Sequence, residues 1–511
     1  MRRAAIPGLA TLAVLRLPSL MEPHWYTDEA GYVNVARELL KGRILYGQIW
    51  NNKPPGMLWT IALEVQLFGS SEIGLHLLTL ISGMATVAAV VWAAARLYTP
   101  RRALLAGVIA AVILGLPIVD AELAVPESLM IAPLSWAGAI ILVRILRGDG
   151  SAGPRRIPRW PLAAGVLMAA AIAYQQTAIA ETSAFFFAML LAPTLLRRDA
   201  LVFLGTVAVI TAAWLTAAII TAGAGTVAFA LAGFYVSYTQ KALPTSAAGG
   251  FVHFGLAFAA ALLIAAGAIA NRRRPRVDWV LALWAGATLV VTAVAGQPYP
   301  HFLAPAVAPL TLLVCGASVP SRLRFTTGNR RSLVGPGLQI AGLVIAILTA
   351  KVAGLDWLPI TPSATNSHTL SGYYGGALGA AFDPTWRTEW LNDFDYRVKG
   401  DADAVAWITA KGFSGDTAVV WSYDAWVYAL ADLQIDMPTP PIYNDEVLLG
   451  YGGPVETYVA ARRPVLIVVD AVAQALYPEI GKLLSGGEYV NEYESYPDTV
   501  WVRADSAQNL P

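Results

Sequence analysis

Apolar runs close to 20 residues long recur along this chain with clusters of basic residues between them, a pattern that commits most of its length to crossing a bilayer. The clusters are Arg2-Arg3, Arg96 to Arg102, Arg144 to Arg159, Arg197-Arg198, Arg272 to Arg276 and Arg322 to Arg331, and they hold 20 of the 35 Lys and Arg residues. Short loops rich in Lys and Arg stay on the cytoplasmic side. Placing all six there leaves eleven candidate spans, at about 4 to 20, 73 to 95, 103 to 118, 128 to 146, 160 to 176, 179 to 195, 200 to 222, 251 to 270, 278 to 296, 302 to 319 and 333 to 354, which alternate without conflict. Across 511 residues, 56% hydrophobic and 14% charged excludes an ordinary soluble protein. The net charge of +1 is uninformative in itself, and no nucleic-acid partner is expected.

The apolar stretch Met57 to Phe68 is too short to cross a core of roughly 30 Å. If it crossed, Arg96 to Arg102 would face outward, so a helix at the outer surface or dipping back into the membrane is expected. Residues 21–72 then form one outer loop with interfacial helices. The same side receives Asp120 to Glu127, Gly223 to Gly250, Gln297 to His301 and everything after Lys351. Arg16 interrupts the first apolar run and no clear small-residue cleavage site follows it, so that run is expected to be retained. The single cysteine, Cys315, excludes disulfides and thiolate metal sites.

From Asp356 the composition becomes that of a soluble domain. Thr417 to Tyr423 and Pro464 to Asp470 read as buried strands, alternating with helical patterns at Asp401 to Gly412, Ala425 to Leu433, Pro454 to Arg462 and Ala473 to Leu484. The expected division is a transmembrane domain, 1–355, and a small extracytoplasmic α/β domain, 356–511. No GxGxxG or P-loop opens any of its helices, so nucleotide binding is disfavoured. Its aromatics, including Trp421, Tyr423, Trp426 and Tyr428, suit an acceptor glycan or a packed core equally.

The charged residues of the outer loops carry the chemistry. Residues 28–41, DEAGYVNVARELLK, have apolar positions at Tyr32, Val35, Ala36 and Leu39 and are followed by Gly42, which predicts a short amphipathic helix at the interface. Thr27 is its expected N-cap, with Asp28 and Glu29 in the first turn. The helix dipole favours carboxylates there whether or not they react. Adjacent side chains diverge by about 100°, so at most one of the pair addresses a given atom. Lys53, in Asn51-Asn52-Lys53-Pro54-Pro55-Gly56, either snorkels to head groups or fixes an anionic phosphate beside a proline-stiffened backbone. Asp120, Glu122 and Glu127 form a second acidic cluster, in which Glu127 opens a span behind Pro126. The histidines are spread over five segments, and no metal site is expected from them.

An acid pair in the first outer loop, a KPP element and an acid opening a later span together resemble the glycosyltransferase-C superfamily, in its protein O-mannosyltransferase and aminoarabinose transferase branch (families 39 and 83). The phrases TDEAGYVNVARELLKG, NKPPGMLW and DAELAVPESL carry the likeness from Trp25 to Arg147, and GQPYPHFLAPAVAPL extends it more loosely. The resemblance implies a GT-C fold of about 11 to 13 transmembrane helices and inverting transfer of a sugar from a polyprenyl phosphate. By this likeness Asp28 matches the catalytic base, Glu29 its acidic neighbour, Lys53 the lysine at the donor phosphate and Glu127 a second acid. Asp120 and Glu122 compete for that last role. Apart from the likeness, His301 in the proline-bracketed turn QPYPHFLAP either adds a hydrogen bond to phosphate or sugar or is a polar contact at a helix start. Many relatives carry a lysine where this chain reads Ala173-Tyr174-Gln175-Gln176-Thr177, so the donor site is expected to differ there.

No cofactor is implied, although a divalent ion between Asp28, Glu127 and a donor phosphate would be compatible with the superfamily. The expected partners are a polyprenyl-phosphate sugar, an envelope glycan, lipid or protein acceptor, and the bilayer. Ala, Gly, Arg and Trp usage suggests a bacterial plasma membrane. A transporter or flippase of a lipid-linked sugar is the alternative, but transporters place charges near the midplane on repeated broken helices. Here the acids lie at the outer boundary and no two-half symmetry is seen.

Overall fold

A computed structural model describes residues 2–147, 159–192, 197–236, 255, 258–270, 275–295, 299–316, 335, 337–345, 370–422, 425–435, 437, 452–476 and 478–508. The expectations at Arg322 to Arg331, at residues 237–250 of the loop Gly223 to Gly250, at Tyr423 and at the boundary near 355 lie outside them. The described chain is mostly helical, with one small sheet near its C-terminus. It forms two compact units, one of residues 1–17, 77–216 and 242–359, the other of 18–76, 217–241 and 360–511.

Helices α1 (Arg2–Leu15), α2 (Thr27–Leu40), α3 (Pro55–Phe68), α4 (Glu72–Leu97), α5 (Pro100–Gly115), α6 (Pro126–Arg147), α7 (Arg159–Tyr174), α8 (Ile179–Leu191) and α9 (Arg197–Ala222) follow one another. Pro275–Ala295 and Val307–Gly316 are helical as well. Five described helical segments are long and apolar enough to cross a membrane, namely Ala4–Met21, Glu72–Leu97, Pro126–Leu146, Arg197–Ala222 and Arg276–Val294. The protein is a multi-pass membrane protein. Met57 to Phe68 lies within the 14-residue α3, again too short to span.

In the first unit, small residues let helices approach closely, as is usual where apolar burial alone cannot drive association. A Cβ on Gly8 of α1 would lie 2.8 Å from the Gly107 carbonyl oxygen of α5. Gly138 of α6 receives the Trp284 ring, which also stands edge-on to Phe185 of α8 at 5.2 Å. α7 and α8 are separated by a break at Gln175, whose backbone is extended.

In the second unit, the sheet has the order β2-β1-β3-β5-β4, with β1 Thr417–Trp421, β2 Gln434–Ile435, β3 Leu466–Asp470, β4 Tyr489–Ser495 and β5 Asp498–Arg503. β1 runs parallel to β2 and β3, whereas β5 is antiparallel to β3 and β4. β1 and β3 are the two apolar runs read from sequence. The β4–β5 hairpin was not expected, because exposed polar positions hide its alternation.

α2 departs from expectation in two ways. Its N-cap is Tyr26, not Thr27, whose hydroxyl instead accepts from Arg397 Nη1 at 3.2 Å. Nor does it present a polar face to water, since Glu29 to Leu39 are all buried. Asn34 donates to the Ala425 carbonyl at 2.7 Å, Arg37 to the Tyr428 carbonyl at 2.7 Å, and the nearby Arg43 to the Ile435 carbonyl at 2.7 Å. Polar residues spaced for a wet face here recognise the backbone of residues 425–435. The stop signal works as expected: Gly42 has φ 88°, its N–H reaches the Leu39 carbonyl and that of Arg43 reaches Glu38, closing a Schellman motif.

Asp470 and Asp498 face each other across β3 and β5. Asp470 accepts from Ser422 Oγ at 2.8 Å and from the Ala473 N–H at 2.5 Å. Burial pushes the Asp498 carboxyl up to about 6, a hydrogen bond with Asp401 opposes this, and the Asp470 charge adds to it. The folded state then binds more protons than the unfolded one between about pH 4 and 6, so this group's stabilisation is present at low pH and lost as pH rises through 6. Asp498→Asn is expected to remove that loss. In thermal unfolding of the full chain in detergent, the variant's advantage over wild type should grow from pH 4 to 7, and a constant difference would contradict the assignment.

Candidate active site

Asp28 and Glu29 occupy the first turn of α2, and the helix turns them in different directions. Asp28 is exposed, with Tyr32 Oη at 3.4 Å from its Oδ2, whereas Glu29 is 1% exposed and points inward. The 100° between neighbours thus separates a carboxylate open to a ligand from one built into the protein. Glu29 faces Glu72 and His76, one turn apart on α4. Among the described residues these three are the group of His, Cys, Asp or Glu side chains whose ligating atoms all lie within 4.8 Å of one another. Sequence reading set the histidines aside as scattered, but the i, i+4 spacing of Glu72 and His76 was a usable signal.

Lys53 belongs to the same unit. Its backbone N–H donates to Asn51 Oδ1 at 3.0 Å and its carbonyl accepts from Tyr46 Oη at 2.7 Å, which fixes the turn. Pro54, at φ −62° and ψ 154°, leads directly into α3 with Pro55 in its first turn. Lys53 therefore stands just before the N-terminus of a 14-residue helix, where backbone N–H groups and the dipole attract anions. Nζ lies 3.3 Å from Tyr235 Oη and 5.7 Å from that ring's centre. Tyr235 comes from the segment expected to be a long connector, whose described part, Ala224–Val236, is helical.

The first unit gathers a different set. Asp120, at φ 45°, Glu127 in the first turn of α6, and His301 are all buried. His301 Nδ1 is 3.7 Å from Asp120 Oδ2 and its Nε2 is 4.0 Å from Glu127 Oε2, while Tyr299 stacks on the ring at 5.5 Å. Burial pushes the Asp120 carboxyl up, and the hydrogen bond and charge of His301 act against that. Gln175, at the break between α7 and α8, donates to Glu127 Oε1 at 2.7 Å. The position at which relatives were expected to differ is thus a neutral partner of the second acid. Sequence reading did not pair Gln175 with Glu127.

Glu122 is held elsewhere. Arg16 Nη1 lies 3.8 Å from its Oε2, and Arg16 Nη2 donates to Thr79 Oγ1 at 2.7 Å, all three residues being buried. Arg16→Met is expected to cost about 3–5 kcal/mol by leaving a buried carboxylate without its cation, and Arg16→Met/Glu122→Leu should recover most of it. Unfolding midpoints in detergent would check this, and equal losses in the single and double variants would refute the pairing.

A family model described as dolichyl-phosphate-mannose-protein mannosyltransferase matches residues 52–218. Among solved structures, ArnT from Cupriavidus metallidurans in the apo state superposes with a TM-score of 0.60 at 17% identity, covering 98% of each chain. The same protein bound to undecaprenyl phosphate gives 0.59 at 17% identity, covering 97% of each chain. The fold is that of the GT-C superfamily. The archaeal oligosaccharyltransferase AglB from Archaeoglobus fulgidus matches with a TM-score of 0.49 at 13% identity, over 99% of this chain and 75% of its own. No curated protein matches the sequence.

Proposed function

We propose that this GT-C protein is an inverting glycosyltransferase that moves a sugar from a polyprenyl-phosphate donor to a hydroxyl of a cell-envelope glycan, lipid or protein. The reaction is assigned to the extracytoplasmic face of a bacterial plasma membrane, with residues 1–355 as the transmembrane catalytic domain and 356–511 outside. One observation carries the reading: within one compact unit, α2 offers an exposed carboxylate, Asp28, while Lys53 stands at the N-terminus of α3. The undecaprenyl phosphate bound to the structurally similar ArnT supports the choice of donor class.

The chemistry follows from charge. Departure of a polyprenyl phosphate turns a diester with about one negative charge into a monoester carrying about 1.5 to 2. A cation at that phosphate therefore binds the transition state more strongly than the ground state, which lowers the barrier. Lys53 and the first-turn N–H groups of α3 supply that positive potential. Asp28 takes the proton of the acceptor hydroxyl as it attacks the anomeric carbon from the face opposite the phosphate. Glu127, held by Gln175, and His301, beside Asp120, are assigned to hydrogen bonding of sugar or phosphate oxygens.

The test is direct. Purified protein is incubated with polyprenyl-phosphate sugars and envelope extracts, and free polyprenyl phosphate is followed by mass spectrometry. Release of the lipid phosphate with sugar appearing on an acceptor is expected. Movement of intact lipid-linked sugar across vesicles with no release would overturn the reading in favour of transport.

A further inference from the structure

Glu29, Glu72 and His76 lie wholly within the second unit, and their geometry asks for a cation. The His76 Nδ1 hydrogen bonds to the Ser19 carbonyl. A carbonyl can only accept, so Nδ1 carries the proton and a neutral ring presents the Nε2 lone pair. Nε2 faces Glu72 Oε2 at 3.6 Å and Glu29 Oε1 at 3.8 Å, beyond hydrogen-bonding range. Donors bonded to one tetrahedral zinc at 2.0–2.1 Å stand about 3.4 Å apart, close to these spacings. His76, Glu29 and Glu72 are 0%, 1% and 4% exposed, so charge imbalance among them is costly.

Helix N-termini stabilise the two carboxylates but give no reason for a lone pair to converge on them. A divalent ion bound to two carboxylates and a neutral imidazole forms a neutral centre, which suits a buried site. A backbone carbonyl fixing the tautomer from behind is the usual support of a metal-binding histidine.

We propose that Glu29, Glu72 and His76 bind a divalent transition metal, zinc by its preference for mixed imidazole and carboxylate donors. The ion joins the first turn of α2 to the first turn of α4. Glu29 then serves as a ligand rather than as a reacting acid, and it positions its neighbour Asp28. The inference does not depend on the sugar-transfer reading.

Full-length protein would be purified in detergent from cells grown with added zinc, and separately with cobalt, then dialysed against EDTA. Wild type is expected to retain about one metal per chain by mass spectrometry, with visible d–d absorption in the cobalt form, while Glu72→Gln and His76→Gln lose both. Wild type without metal, or variants that keep it, would overturn the proposal. If the variants do not fold, X-ray absorption of zinc-loaded wild type decides: one imidazole with oxygen donors supports the site, whereas sulfur ligation or an all-oxygen shell refutes it.

Discussion

Asp28→Asn is expected to reduce sugar transfer by about 10²–10⁴-fold, the range over which a positioned general base contributes. The amide keeps the size of the carboxylate and can still accept from Tyr32, so α2 should fold as before. What it cannot do is take a proton from the acceptor hydroxyl. The loss should fall on turnover, with binding of the lipid donor nearly unchanged. Glu29→Gln is the informative comparison, because Glu29 is buried against Glu72 and His76 whereas Asp28 is exposed. It is expected to lower stability together with activity. Full turnover in Asp28→Asn, measured as release of polyprenyl phosphate, would remove Asp28 from the mechanism.

Lys53→Met is the second large effect, expected to cost about 10²–10³-fold in turnover, as loss of one transition-state charge partner does elsewhere. Methionine retains much of the apolar stem and removes only the charge, while Asn51, Tyr46 and Pro54 continue to hold the turn through the backbone. Because phosphate charge grows as the leaving group departs, kcat should fall further than KM rises. Lys53→Arg should be intermediate, since it keeps the charge but exchanges a compact ammonium for a planar fork next to Tyr235. A change confined to KM would place Lys53 in ground-state donor binding alone.

Five membrane-length helices among the described residues were readable from sequence because their signals are periodic and local. These spans and the short α3 depend on neighbours within one helix, and the Gly42 stop is set by a single left-handed residue. The parallel strands β1 and β3 were visible as apolar runs for the same reason. What sequence could not show depends on distant partners. α2 looked amphipathic because Asn34 and Arg37 are polar, and only partners 391 positions further along the chain make those positions interior. The expected site residues fall into two groups: Asp28, Glu29 and Lys53 in one unit, and Asp120, Glu122, Glu127 and His301 in the other. Gln175 beside Glu127, and His76 beside Glu29, could not be paired from spacing because each contact joins separate helices.

The acceptors that receive Asn34, Arg37 and Arg43 are mostly main-chain carbonyls, at Ala425, Tyr428, Ile435 and Met437. At ribosomal speeds of 5–20 residues per second, those carbonyls are made roughly 20–80 s after the helix that needs them. Asn34, Arg37 and Arg43 therefore lack these acceptors until translation has passed residue 437. A carbonyl is the same in every residue, so replacing the side chains at Ala425, Tyr428, Ile435 or Met437 leaves the acceptor in place, whereas replacing Asn34, Arg37 or Arg43 removes the donor.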